Sequence, residues 1–177
     1  VFQGKKDLFK GLAIYDKPYD WKPYPVIHLD MNGLDFSSVE ELESSLCDLV
    51  TEAAASHELT LESANAASLF RTLINRLAEK EQVVILVDEY DKPILNNLGK
   101  PHAQKILDKL KVFYSVIKAF ESKERFVFVT GVTKFCHVSL FSELNNLTDI
   151  TMNRDYATMF GYTQSEFEAY FADRIDS

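Results

Sequence analysis

The run VVILV at 83–87, five consecutive aliphatic residues closed by Asp88, constrains this chain more than any other segment. An apolar run without alternation suits a strand covered on both faces, the habit of parallel sheets flanked by helices. Two further segments fit the same sheet. YPVIHLD at 24–30 predicts a strand ending at the turn residues Asn32 and Gly33. FVFV at 126–129 predicts another short buried strand, closed by Thr130 and Gly131. Between them lie helical patterns. Ser37 and Ser38 each precede a glutamate by three positions, giving two overlapping capping boxes, and Val39, Leu42, Leu46, Leu49, Val50 and Ala53 form the stripe behind them. The spacing predicts a second helix over 63–80 and a third over 102–122. A short strand is expected over 149–152, and a last helix opens near Thr163, with Glu166 completing its cap and Phe167, Tyr170, Phe171 and Ile175 as its apolar side. The first 23 residues read as irregular chain after a short helix. This alternation of strands and helices predicts an α/β domain with a mostly parallel sheet.

In such sheets ligands sit beyond the carboxyl ends of the strands. The residues there are Asp30, Asp88 with Glu89, and Thr130 with Thr133. Acidic residues outnumber basic ones 27 to 19 and the net charge is -8, which argues against a surface built to grip nucleic acid or anionic lipid. Cys47 and Cys136 stand outside any CxxC or Cys/His cluster and read as reduced, structural cysteines. No apolar run approaches membrane-spanning length, so a soluble, cytoplasmic domain is expected.

The segment VVILVDEYDKP carries the strongest chemical signal. A buried strand that delivers Asp then Glu at its tip is the Walker B arrangement of P-loop nucleotide hydrolases: Asp88 would hold Mg²⁺ through water, and Glu89 would polarise the attacking water. Acidic residues also follow strands simply to cap a helix or meet solvent. In FVFVTGVTKF, Thr130 sits where such enzymes place a sensor of the γ-phosphate, with Thr133 and Lys134 as further nucleotide-contacting candidates. The bland alternative is a strand-to-loop turn in which Gly131 supplies a positive φ.

Taken together, LFKGLAIYDK, YPVIHLDMNG, VVILVDEYDKPI, RFVFVTGVTKF and SLFSELNNLTDITMNRDYATMFGYTQSEF resemble, in order, the AAA-ATPase-like domain family of bacterial proteins. The resemblance runs over nearly the whole chain and implies a P-loop NTPase fold. It implies the strand order 24–30, 83–87, 126–129, all parallel. It also implies an α/β core over 24–152, the start of a C-terminal helical segment over 153–177, and, in many members, a PD-(D/E)XK nuclease-like domain further along. The family's phosphate-binding GKS loop is expected upstream of Val1, because no GxxxxGK[ST] occurs in these residues. Mg²⁺ and ATP are therefore expected to bind only where that loop is present. The outer edge of 126–129 is then expected to lack its usual neighbour strand, to be closed by 149–152, by a second copy of the chain, or by upstream residues.

Other candidates carry less. His28 and Asp30 share a strand face at spacing two, with His28 read as half-buried packing and Asp30 as bordering the site or a turn. His57, His102 and His137 have no zinc spacing, and Ser139 and Ser142 have no nucleophile elbow. Lys105, Lys109, Lys111, Lys118, Lys123 and Arg125 make the helix before the 126–129 strand locally basic, most simply as a solvated face, with a nucleic-acid or partner surface as the lesser alternative. Three functions compete: an Mg²⁺-dependent ATPase switch coupled to a nuclease-like or partner domain, a non-catalytic interaction module on the same fold, and a metal-dependent nuclease using Asp88, Glu89 and Asp91 directly.

Overall fold

A computed structural model describes residues 1–62, 65–132 and 146–175. Its centre is a three-stranded parallel sheet of β1 (Val26–Asp30), β2 (Val83–Asp88) and β3 (Glu124–Val129), in that spatial order. The order and direction agree with expectation. In register, Val26 stands beside Val84 and Asp30 beside Asp88, while Ile85 stands beside Val127 and Val87 beside Val129. The acidic end of β1 and β2 and the Thr130 end of β3 therefore lie along one edge.

Between the strands run α1 (Val39–Ala55), α2 (Ala66–Leu77), the short α3 (Lys92–Leu95) and α4 (Ala103–Ala119). Ser38 is the N-cap of α1 and accepts the Glu41 amide at 3.1 Å, so the second of the two overlapping capping boxes is the one used. Asn65 caps α2 by accepting the Ser68 amide at 2.9 Å. That cap, with Ala78 closing the other end, makes α2 shorter than the 63–80 pattern suggests. α4 likewise stops at Ala119 and gives way to a 3-10 turn, Glu121–Lys123. The helices α1, α2 and α4 pack on one another and α1 packs on β1, enclosing Leu42, Leu46, Phe70, Leu73, Ile74, Phe113 and Ile117.

The strands differ in cover. Val83, Val84, Ile85 and Val87 of β2 are buried, and β1 alternates with Ile27 and Leu29 inward. The expectation that 126–129 is equally buried fails: Phe126 is 40% exposed and Val127, Phe128 and Val129 are only half-buried. β3 ends the sheet and is paired on one side, with β2, among the described residues. Its apolar face is covered in part by Phe2, which stacks on Phe126 at 5.1 Å between ring centroids.

Two compact units result, Val1–Asn146 and Leu147–Ser177. Within the second, the strand expected over 149–152 does not form. Asp149 Oδ1 accepts the Thr151 amide at 2.9 Å and the Asn153 amide bonds to Ile150 O at 3.1 Å, so local turns use the backbone a strand would need. The last helix, α5 (Gln164–Ile175), opens as expected: Thr163 Oγ1 accepts the Glu166 amide at 3.3 Å, and Glu166 accepts the Thr163 amide at 2.9 Å.

Candidate functional site at the strand tips

Asp88 leaves the sheet as an exposed carboxylate at the end of its most buried strand. The strand anchors it on both sides. Its carbonyl accepts the Met31 amide of the β1 exit at 3.1 Å, and Thr130 N bonds to Val87 O at 2.9 Å on the β3 side. Asp88 Oδ1 accepts the Glu89 amide at 3.1 Å and also the Thr130 hydroxyl. The acid and the candidate sensor, 42 positions apart, are thus in direct contact.

Glu89 has φ +54, in the left-handed region that side chains disfavour. That conformation turns the chain out of the strand, so that Tyr90 N reaches Thr130 O at 3.0 Å and Lys92 N reaches Glu89 O at 3.0 Å. The Glu89 carboxylate meets Lys92 Nζ at 2.7 Å, and Lys92 also donates to Asn32 Oδ1. Asp30, beside Asp88 in register, accepts the Asn32 amide at 2.8 Å and so shapes the turn after β1. The edge therefore gathers Asp30, Asn32, Asp88, Glu89, Lys92 and Thr130.

Several sequence candidates stand elsewhere. Asp91 is fully buried and its Oδ2 accepts the Val132 amide at 3.0 Å, whereas Asp88 is exposed at the strand tip. Among the described residues no group of three or more His, Cys, Asp or Glu side chains converges on a metal position. A direct carboxylate cage of the nuclease kind is accordingly missing from the described residues. His28 is exposed rather than half-buried, because it lies on the outward side of the β1 alternation. His57 bonds to Val26 O at 2.9 Å and His102 to Asn97 Oδ1 at 2.8 Å, both as packing contacts. In the basic helix, Lys109 pairs with Glu43 at 3.0 Å. Burial, with Glu43 and Asp48 beside it, pushes the Cys47 thiol up, as suits an unreactive cysteine. Thr133, Lys134, Cys136, His137, Ser139 and Ser142 lie outside the described residues.

Sequence reading missed the roles of Asn32, Tyr90 and Lys92. Their signal was only proximity to a strand tip, since hydrogen bonds across 60 positions leave no local pattern. It also misjudged Gly131, whose φ is not positive. What requires glycine there is space: a Cβ would stand 2.4 Å from the Tyr90 ring.

The model of the family described as "Predicted AAA-ATPase" matches residues 1–141. The chain belongs to the AAA-ATPase-like family. The match takes in the whole sheet and every strand-tip residue named above. A relative from Azotobacter chroococcum mcd 1, an uncharacterized protein in the vnfD 5′ region, is 38% identical over 179 residues. That similarity covers 99% of this chain and 34% of the relative, so the chain spans about a third of that protein's length. No solved structure matches.

Proposed function

We propose that this chain is the Walker-B-bearing part of an Mg²⁺-dependent ATPase domain with a P-loop NTPase-like sheet, acting as a switch for another domain of the full-length protein. The observation that carries the reading is the Asp88–Thr130 contact at the tip of two adjacent parallel strands. A buried strand fixes the acid, and its neighbour supplies a hydroxyl within reach of the same small volume. Such fixed polar groups need little reorganisation as charge develops, which is the main source of electrostatic catalysis.

The donor set suits a cation held through water better than one held directly. Asp88 is exposed, and its described protein hydrogen bonds all fall on Oδ1. Asp88 would hold Mg²⁺ by way of water, and a bound Mg²⁺ would supply neutralisation of phosphate charge. Glu89 would orient and polarise water once Lys92 no longer engages its carboxylate. Thr130 would present its hydroxyl to the terminal phosphate, with Thr133 and Lys134 as further phosphate contacts. The triphosphate cradle itself belongs to a GKS loop outside these residues. In this reading 24–152 forms the α/β core, and 153–177 begins a helical segment that relays the switch, with a nuclease-like domain as its target. Glu89→Gln in the full-length protein should leave ATP binding within about threefold and lower turnover by roughly a hundredfold or more, the scale of general-base assistance. Undiminished turnover would remove Glu89 from this role.

A second reading is a non-catalytic interaction module. It is favoured by the half-covered β3, whose outer edge has no strand partner among the described residues and whose exposed Phe126 suits strand pairing with a partner or a second copy. A full-length protein that binds no Mg-ATP would decide for it.

A further inference from the structure

The exit of β3 is tied to the turn after β2 by a residue outside the trio Asp88, Glu89 and Thr130. Asp91 is an acid with 0% of its surface exposed, a placement that charged side chains adopt only when something holds them there. Its Oδ2 accepts the Val132 amide at 3.0 Å, across 41 positions of sequence. Its backbone carbonyl accepts the amides of Ile94 and Leu95 at 3.0 and 2.9 Å, so the same residue sets the first turn of α3. Tyr90, immediately before it, donates its amide to Thr130 O at 3.0 Å. The Tyr90 carbonyl in turn accepts the Tyr114 hydroxyl of α4 at 3.4 Å.

Gly131 lies between these two links. A Cβ there would stand 2.4 and 2.5 Å from atoms of the Tyr90 ring and 2.8 Å from Asp91 Oδ1. The Tyr90 ring is buried and has little room to yield. Val132 by contrast is 80% exposed, so its side chain adds little burial to hold this segment in place. The Tyr90 and Asp91 bonds grip the chain on either side of Gly131, and the glycine lets it come close enough to be gripped.

We propose that Asp91 is a positioning residue: its buried carboxylate clamps 130–132 onto the turn after β2, so that Thr130 stays on Asp88 and the two strand tips move as one unit. The consequence for turnover rests on the ATPase reading above; the clamp itself does not. α3 and α4 meet the clamp through Asp91 O and Tyr114, which gives the helices behind the sheet a route to the Thr130 position.

The test compares Asp91→Ala, Asp91→Asn and Gly131→Ala in the full-length protein. Amide hydrogen exchange is read for peptides covering 126–132 and 39–55, and Mg-ATP turnover is measured beside it. Asp91→Ala should speed exchange of 126–132 by about tenfold or more, the scale of one lost charge-assisted hydrogen bond, with 39–55 unchanged. Turnover should fall by about tenfold with KM within threefold, the pattern of lost transition-state positioning rather than lost binding. Asp91→Asn keeps an acceptor oxygen for the Val132 amide and should recover both readouts to within about threefold. Gly131→Ala should loosen the same peptide with the carboxylate intact, and decides the matter if Asp91→Ala does not fold. Unchanged exchange of 126–132 in Asp91→Ala and in Gly131→Ala overturns the clamp. Equal acceleration of both peptides makes Asp91 a core residue only and overturns it as well. Loosening without any loss of turnover overturns the positioning role. A wild-type protein that turns over no ATP counts against the ATPase reading alone, and the exchange data still decide the clamp.

Discussion

β2 and β3 are neighbours of equal length, each carrying an apolar run that leads to a polar residue of the site, Asp88 at the end of β2 and Thr130 just after β3, yet the protein treats them differently. β2 has a strand on each side and is buried along almost its whole length. β3 has β2 on one side, an exposed Phe126, and a face shared with Phe2. Hydrophobicity of the segment does not separate them; place in the sheet does. The consequence is mechanical. Asp88 inherits its fixity from the strand beneath it, whereas the segment after Val129 is held by cross-links, Tyr90 N to Thr130 O and Asp91 to Val132 N. One half of the site is positioned by packing and the other by hydrogen bonds.

The sharpest way to break this comparison is to truncate to alanine two aliphatic residues that stand beside each other in register, Ile85 on β2 and Val127 on β3, the first losing three side-chain carbons and the second two. Ile85 is fully buried, so Ile85→Ala should cost about 3–4 kcal/mol through lost transfer energy and a cavity that cannot collapse. Val127 is half-buried, so Val127→Ala should cost about 1 kcal/mol. Urea denaturation midpoints of the two variants measure the difference. Equal costs would mean that β3 is as enclosed as β2 and that the contrast between them is false.

A smaller effect sharpens the functional side. Thr130→Val keeps the shape of the side chain and removes the hydroxyl that Asp88 accepts. Because hydrogen bonds to charged groups are worth about 1.5–3 kcal/mol, turnover of the full-length protein should fall by roughly tenfold. Thr130→Ser should restore most of it. A Val variant as active as the wild type would show that the two strand tips need not communicate through this bond.

The features legible in the sequence are those with local or periodic causes. The strands at 24–30, 83–87 and 126–129, the helix over Val39–Ala55 and the Thr163–Glu166 cap all follow from apolar spacing and capping chemistry within a few residues. Asp88, Glu89 and Thr130 were legible as strand-tip residues, and the structure joins Asp88 to Thr130 while the Glu89 carboxylate meets Lys92. The illegible features depend on residues far apart. The half-exposure of β3 follows from its place at the end of the sheet, which no window of FVFV contains. The bond that holds buried Asp91 comes from the Val132 amide, and the need for glycine at 131 follows from the Tyr90 ring. Both are contacts between two loops that only the sheet brings together. The short strand expected at 149–152 failed for the opposite reason, since the local hydrogen bonds of Asp149 and Asn153 outcompete it.

The smallest effect tests the comparison at the other end of the two strands. Val83 and Glu124 stand beside each other in register, an aliphatic residue on β2 and a carboxyl on β3. Burial first, and then the neighbouring Glu121, push the Glu124 carboxyl up to about 7 from its ordinary 4.5. Its Oε1 is buried with no hydrogen-bond partner among the described residues. The folded state therefore holds the proton more tightly than the unfolded chain does. Below pH 4.5 both states carry it and the full contribution to stability is present. As pH rises the unfolded chain ionises first, so stability declines until the folded carboxyl has also titrated, near pH 7. Glu124→Gln removes that ionisation. Since the side chain is only partly enclosed, solvent screening keeps the gain modest, on the order of 2 °C in thermal midpoint at pH 8. At pH 4, where Glu124 is protonated in the folded protein, the variant and the wild type should melt together. Glu121→Gln should shift the pH 8 midpoint in the same direction by less, because it removes the lesser of the two causes. A gain for Glu124→Gln that is the same at both pH values would show that this carboxyl does not titrate with folding, and that the entry of β3 is as indifferent to charge as an exposed strand end.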